Sequence, residues 1–278
     1  MAARHAPSAT YLSGIVEAHR KKAASDTRDP ELLLEEAVGS PETRGFRRAL
    51  ERLGTEGLTG VIAEIKRRSP SKGDLAPYLD PAGLAADYER GGATCLSVLT
   101  DERFFGGSPS DLRAARGACG LPVLRKDFTV CAADVADART MGADAVLLIV
   151  AALSEPELAS LLAIARRLGL DSLVEVHDES ELESALACGA DLVGVNQRDL
   201  ETFEVDGELA GRMATLIPDS VVAIAESGIR GPKDVSRLAA FGFQGVLVGE
   251  SVVTSADPSR TVKALSGHRI APRQTAGS

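Results

Sequence analysis

Met141-Gly142-Ala143-Asp144-Ala145-Val146 and Cys188-Gly189-Ala190-Asp191-Leu192-Val193 are one junction written twice. In each, a helical stretch stops at a glycine, a short turn follows, and a β-rich apolar run begins. Gly91-Gly92-Ala93-Thr94 and Phe241-Gly242-Phe243-Gln244 stand at equivalent points. Outward from these junctions, apolar runs begin near Val61, Ala93, Pro122, Ala145, Ser172, Leu192, Val221 and Gly245, about 26 residues apart. Val146-Leu147-Leu148-Ile149-Val150 and Val246-Leu247-Val248 do not alternate in polarity, which marks strands covered on both faces. Helical patterns fill the intervals. After Ser154-Glu155-Pro156-Glu157 come Leu158, Leu161, Leu162, Ile164 and Ala165 at helical spacing, and Gly169 suits the stop.

Strands alternating with helices in eight repeats predict an α/β protein, a (β/α)8 TIM barrel over residues 61–265. A doubly wound open sheet is the alternative, but no GxGxxG or GxxxxGK[ST] follows any run. Residues 1–60 differ. Helical spacing at Tyr11, Leu12, Ile15 and Val16, and at Pro30–Val38 and Pro41–Leu53, predicts an N-terminal helical extension packed on the barrel. It has too few large apolar residues for a core of its own. Residues 266–278 are polar and read as a frayed tail.

Hydrophobic residues make up 44% of the 278 and charged residues 26%, which excludes a mainly disordered chain. With no Trp and 4% aromatic content, the chain lacks stacking platforms for single-stranded nucleic acid. A net charge of −9 argues against any general nucleic-acid partner, though a small anion responds to the local field. The longest apolar run, Ala145 to Leu153, has 9 residues, too few to span a bilayer. Around Arg4, His5, Ser8 and Thr10 there is no apolar leader segment, so the chain reads as cytoplasmic. A monomer is expected. Cys95, Cys119, Cys131 and Cys188 form no CxxC pair and read as buried reduced thiols. His5, His19, His177 and His268 are scattered, and no pair has metal-ligand spacing, so no metal is expected.

A barrel carries its chemistry at the C-terminal ends of its strands. The runs end in Glu64-Ile65-Lys66, Arg125-Lys126-Asp127, Glu175-Val176-His177, Val195-Asn196, Glu226-Ser227-Gly228 and Gly249-Glu250-Ser251, while the fourth ends apolar. Glu64 and Lys66, two apart, share one side of a strand. Lysines and carboxylates converging there would pair, and a desolvated lysine among them would be a general acid of lowered pKa. Glycine turns after runs seven and eight suit phosphate held by backbone N–H groups, and Ser69-Pro70-Ser71-Lys72-Gly73 adds hydroxyls and charge.

Residues 63–73, 99–108, 124–128, 173–177, 194–200 and 225–229 together resemble the indole-3-glycerol phosphate synthase family, over roughly residues 60–265. Among them are Ala63-Glu64-Ile65-Lys66-Arg67-Arg68-Ser69-Pro70, Leu124-Arg125-Lys126-Asp127-Phe128 and Gly194-Val195-Asn196-Gln197-Arg198-Asp199-Leu200. The resemblance implies closure of 1-(2-carboxyphenylamino)-1-deoxyribulose 5-phosphate to indole-3-glycerol phosphate, with loss of CO2 and water. It implies no metal and no organic cofactor. It gives Lys126 the role of general acid and sets Glu175 against the developing ring cation. Lys66 takes the carboxylate and Glu64 partners it, while Asn196, Arg198 and Glu226 orient substrate and lysines. Ser69, Ser227, Gly228 and the Gly249-Glu250 backbone would hold phosphate, and Phe105 and Phe128 would line the ring pocket. Other phosphate-binding barrels, isomerases or lyases using Asp, Cys or Glu acid/base pairs, would leave the two strand-end lysines unexplained. A non-catalytic sugar-phosphate sensor would have no use for Lys126 and Glu175 together.

Overall fold

The computed structural model describes residues 11–70 and 72–273. The expectations placed on residues 1–10, on Ser71 and on residues 274–278 lie outside these. Eight parallel strands close into a barrel. They are β1 (Gly60–Ile65), β2 (Cys95–Leu99), β3 (Val123–Lys126), β4 (Ala145–Ile149), β5 (Asp171–Val176), β6 (Leu192–Asn196), β7 (Val222–Glu226) and β8 (Gly245–Val248). Closure is the pairing of β1 with β8, Gly60 against Gly245 through Ala63 against Val248.

Helices α1 (Tyr11–Ala24), α2 (Pro30–Val38) and α3 (Phe46–Thr55) precede the barrel. Outside it lie α4 (Pro81–Arg90), α5 (Pro109–Ala118), α6 (Ala132–Met141), α7 (Glu155–Arg167), α8 (Glu179–Ala187), α9 (Leu209–Ala214), α10 (Pro232–Ala240) and α11 (Pro258–Leu265). The Ser154 signal is obeyed at the start of α7, where the Glu157 carboxylate accepts from both the Ser154 N–H and its hydroxyl at 2.8 Å.

Strand parity divides the core in two. Val61, Ala63, Val146, Leu148, Val174 and Val176 pack outward under the helices. Ile62, Leu124, Leu147, Leu173, Leu192, Ile224 and Leu247 fill the lumen, with Phe46 and Leu50 of α3 packed among them as a plug. No helix among the described residues is long and apolar enough to cross a membrane.

Three local expectations change. The third helix starts at Phe46, not Pro41. The preceding segment is drawn down to buried Asp144, which accepts the Arg44 N–H at 2.7 Å, while the Arg44 guanidinium donates to the carbonyls of Cys119, Leu121 and Arg116. Those bonds outweigh continued helix. The C-terminal segment is not frayed as far as Arg273. Thr59 N–H donates to His268 O, Ile270 N–H donates to Gly57 O, and the Arg273 guanidinium, nearly buried, reaches the carbonyls of Pro218 and Val221. Finally, all four cysteines are free, but only Cys95 is buried; the other three are partly exposed.

Candidate active site

The parity that fills the lumen with Ile62, Leu173 and Ile224 points Glu64, Glu175 and Glu226, two residues further on, to the same side. Leu124 likewise sets the side for Lys126, and Leu192 that for Asn196 two pairs on. The strand ends thus deliver polar side chains to the mouth of a lumen that is apolar below. All fourteen residues nominated from the sequence line one cavity of about 820 Å³ there: Glu64, Lys66, Ser69, Phe105, Lys126, Phe128, Glu175, Asn196, Arg198, Glu226, Ser227, Gly228, Gly249 and Glu250.

Lys126 Nζ donates to Glu175 Oε2 at 2.6 Å and to Glu226 Oε2 at 3.0 Å. Lys66 Nζ donates to Glu64 Oε1 at 2.5 Å, and Asn196 Nδ2 donates to Glu175 Oε1 at 3.1 Å. Glu226 Oε1 is buried and has no hydrogen-bond partner among the described residues. Three carboxylates therefore face two ammonium groups. Burial pushes the Lys126 ammonium toward neutrality, but the charges of Glu175, Glu226 and Glu64 outweigh it and hold its pKa above the ordinary lysine value. This corrects the expected lowering. Burial also works against the charge on Glu175, yet Lys126 and His177 keep its pKa below the carboxylate range. Glu226 goes the other way: burial, with the Glu175 charge adding to it, pushes it up to about 7. Near neutral pH Glu226 is therefore partly protonated, while Glu175 stays ionised.

The polar rim has its own backbone geometry. Ser227 (φ +66°) and Gly228 (φ +72°) are consecutive left-handed residues directly after β7. A serine seldom adopts that conformation, and a Cβ on Gly228 would also meet Val205 Cγ1 at 2.6 Å. At Gly249 the reason for glycine is proximity, since a Cβ would lie 2.5 Å from Glu64 Oε1. Across the mouth, Lys72 Nζ approaches Glu250 Oε1 at 3.5 Å. Arg198 is braced by its own loop, its N–H donating to Asn196 Oδ1 and its guanidinium to Phe203 O at 2.9 Å.

The opposite wall is apolar. Phe105 and Phe128 are 6.2 Å apart, with Leu147 and Ile149 beside them, so the fourth strand, which offered no polar end, contributes surface. Sequence reasoning missed the residues that roof this wall: Tyr11, Leu12 and Ile15 of α1, and Phe203, whose ring lies 5.5 Å from that of Tyr11. The available signal was an apolar stripe on a helix without its own core. His19, four residues after Ile15, anchors that helix. Its Nε2 lies 2.9 Å from Asp101 Oδ2 and 3.9 Å from Asp127 Oδ1, and its ring lies 5.3 Å from that of Phe128.

His19, Asp101 and Asp127 bring three potential metal-ligand atoms within 4.8 Å of one another, a grouping that linear spacing hid. The carboxylates are already engaged. Asp127 Oδ2 accepts from Arg125 and from Thr100, and Asp101 Oδ1 accepts the Phe104 N–H. The group is a hydrogen-bonded network joining α1 to the ends of β2 and β3.

A closed parallel barrel with a lysine–carboxylate cluster at the strand ends defines the class: a barrel with an enzyme's site at its C-terminal face. The family model for indole-3-glycerol phosphate synthase matches residues 12–265. The indole-3-glycerol phosphate synthase of Nocardioides sp. (strain JS614) is 56% identical over 209 residues, covering 75% of this chain and 80% of that protein. Indole-3-glycerol phosphate synthase 2 of Streptomyces coelicolor is 47% identical over 262 residues, 92% of this chain and 100% of that protein. Among solved structures, thiamine phosphate pyrophosphorylase from Pyrococcus furiosus shares the fold, with a TM-score of 0.56 at 16% identity over 75% of this chain and 94% of that one. This chain belongs to the indole-3-glycerol phosphate synthase family, the carboxy-lyases that form the indole ring in tryptophan biosynthesis.

Proposed function

We propose that the chain closes 1-(2-carboxyphenylamino)-1-deoxyribulose 5-phosphate to indole-3-glycerol phosphate with Lys126 as the general acid of ring closure. The observation that carries this is the Lys126 ammonium, held between Glu175 and Glu226 at the polar edge of a cavity whose other wall is aromatic. The ring carbon bearing the carboxylate attacks the ketone, and Lys126 protonates the oxygen. An ammonium clamped by carboxylates is a weak acid, so the proton moves only as the oxygen becomes alkoxide-like and outcompetes them. The interaction thus belongs to the transition state.

Attack leaves positive charge on the anilino system, and Glu175 faces it. Loss of CO2 restores the ring. Loss of water from the new carbinol then forms the indole double bond: Lys66, paired to Glu64, protonates the departing hydroxyl, and Glu175 takes the proton lost from the adjacent methylene carbon. Asn196 holds Glu175, and Arg198 and Glu226 orient the substrate and the lysines. Ser69, Ser227 and the Gly228, Gly249 and Glu250 backbone take the phosphate, while Phe105 and Phe128 stack against the aromatic ring. The same reading makes the enzyme a cytoplasmic monomer without nucleic-acid or membrane partners.

Because the chain has no Trp, indole fluorescence is a clean readout. Purified protein mixed with the substrate should produce it together with one CO2 per turnover. No fluorescence, or fluorescence without CO2, would sink the reading.

A further inference from the structure

His177 ends the β5 motif yet has no place in the chemistry above. It does not line the cavity; it sits behind Glu175. Its Nε2 lies 3.4 Å from Glu175 Oε1, and its Nδ1 lies 3.0 Å from Glu181 Oε2. The same Glu181 oxygen accepts the His177 backbone N–H at 2.7 Å, and Glu181 is fixed in the first turn of α8 by the Asp178 cap. The imidazole is therefore pinned from its rear and aimed at the oxygen of Glu175 that Lys126 does not use. Nε2 is buried and makes no well-formed hydrogen bond among the described residues.

We propose that His177 is a positioning residue for the ring-closing reaction, a buried cation that orients Glu175 and holds it as a carboxylate while Lys126 gives up its proton. The inference rests on the role given to Glu175 above. The geometry supports it. Among the described residues, Glu175 has Lys126 on Oε2 and His177 beside Oε1 as its cationic neighbours. At the moment of proton transfer Lys126 becomes neutral, and Glu175 loses its nearest cation just as the ring cation needs a negative partner. Without another cation, Glu175 and Glu226 would compete for the proton. The titratable groups around the imidazole are Glu175 on β5, Glu181 on α8 and Asp199 after β6, all acidic. Burial opposes its charge, but Glu175 and Glu181 overcome that and lift it to about 10.

The test compares His177→Gln and His177→Asn with the parent enzyme and with Glu175→Gln, following kcat, KM and the melting temperature. Both His177 variants keep a polar side chain and lose the charge. The expected result is a roughly tenfold fall in kcat with KM within twofold, the split expected when an interaction serves the transition state. A purely structural role would lower the melting temperature and leave kcat of the folded enzyme in place. Unchanged kcat in both variants overturns the proposal. Full activity in Glu175→Gln would instead overturn the reading on which it rests, and that outcome is distinguishable because it does not involve His177.

Discussion

Two buried charge clusters lie at opposite ends of the barrel, and they are built differently. At the lower end, Asp144 is fully buried in the turn that feeds β4. Its Oδ1 accepts the Arg44 N–H at 2.7 Å, and its Oδ2 accepts the Val123 N–H at 2.7 Å and the Arg116 guanidinium. Both oxygens are used and the partners are mostly backbone. At the mouth, Glu175 and Glu226 are nearly as buried and Lys126 is partly exposed, but Glu226 Oε1 is unpartnered among the described residues and the acids outnumber the lysines. A closed cluster secures a fold; an open one keeps electrostatic capacity for something that is not yet there.

Removing one member of each cluster should separate the two roles. The largest effect belongs to Lys126→Ala, where kcat should fall by about 10²–10⁴ with circular dichroism unchanged, the usual loss for a positioned acid. Near-normal kcat would break the comparison at its functional end. Asp144→Ala should do the reverse. It strands Arg116 and two backbone donors, and denaturant unfolding should show a loss of about 3–5 kcal/mol while the folded fraction keeps its kcat. Equal stability in parent and variant would remove the structural half of the contrast.

Glu226→Gln sharpens it further through pH. The carboxyl titrates near 7 in the fold and near 4.5 when unfolded. The unfolded chain therefore loses the proton first, and ionisation weakens the fold as pH rises from 4.5 to 7. The variant lacks this penalty. Its stability relative to the parent should rise between pH 5 and pH 8, by about 2–3 kcal/mol at most, while turnover falls. A difference independent of pH would mean that the open cluster carries no strain. The smallest effect is expected from His19→Ala, which frees α1 from Asp101 and Asp127. Losing one charge-assisted hydrogen bond should raise KM roughly tenfold and change kcat little, measured by steady-state fluorescence.

Much of this was legible locally. Glycine junctions and unalternating apolar runs located all eight strands to within two residues, because a parallel strand carries its burial in its own composition. The residues around the cavity were legible as strand ends, since parity sends Glu64 and Lys66 to one side whatever the rest does. What stayed hidden depends on numbers of neighbours. The direction of the Lys126 shift follows from three carboxylates that arrive from β1, β5 and β7, and burial alone points the wrong way. The roof formed by Tyr11, Leu12 and Ile15 requires α1 to be placed, and the contact that places it, His19 to Asp101, joins residues 82 apart. The start of α3 was misjudged for a similar reason. Nothing near Pro41 reveals that Asp144 will claim the Arg44 amide.

The pairing of β1 with β8 sets a schedule for synthesis. Gly60 leaves the ribosome about 185 residues before Gly245, its neighbour in the sheet, an interval on the order of 10–40 s at ordinary elongation rates. The segment that pairs with Gly57 and Thr59, residues 267–270, emerges later still. Through that interval one edge of the first strand offers unsatisfied amides and carbonyls beside apolar side chains, the surface on which nascent chains adhere to one another. A barrel closed by pairing β1 with β8 commits the growing polypeptide to shelter until β8 has been made, and a ribosome stalled before residue 245 holds a sheet that has no way to seal.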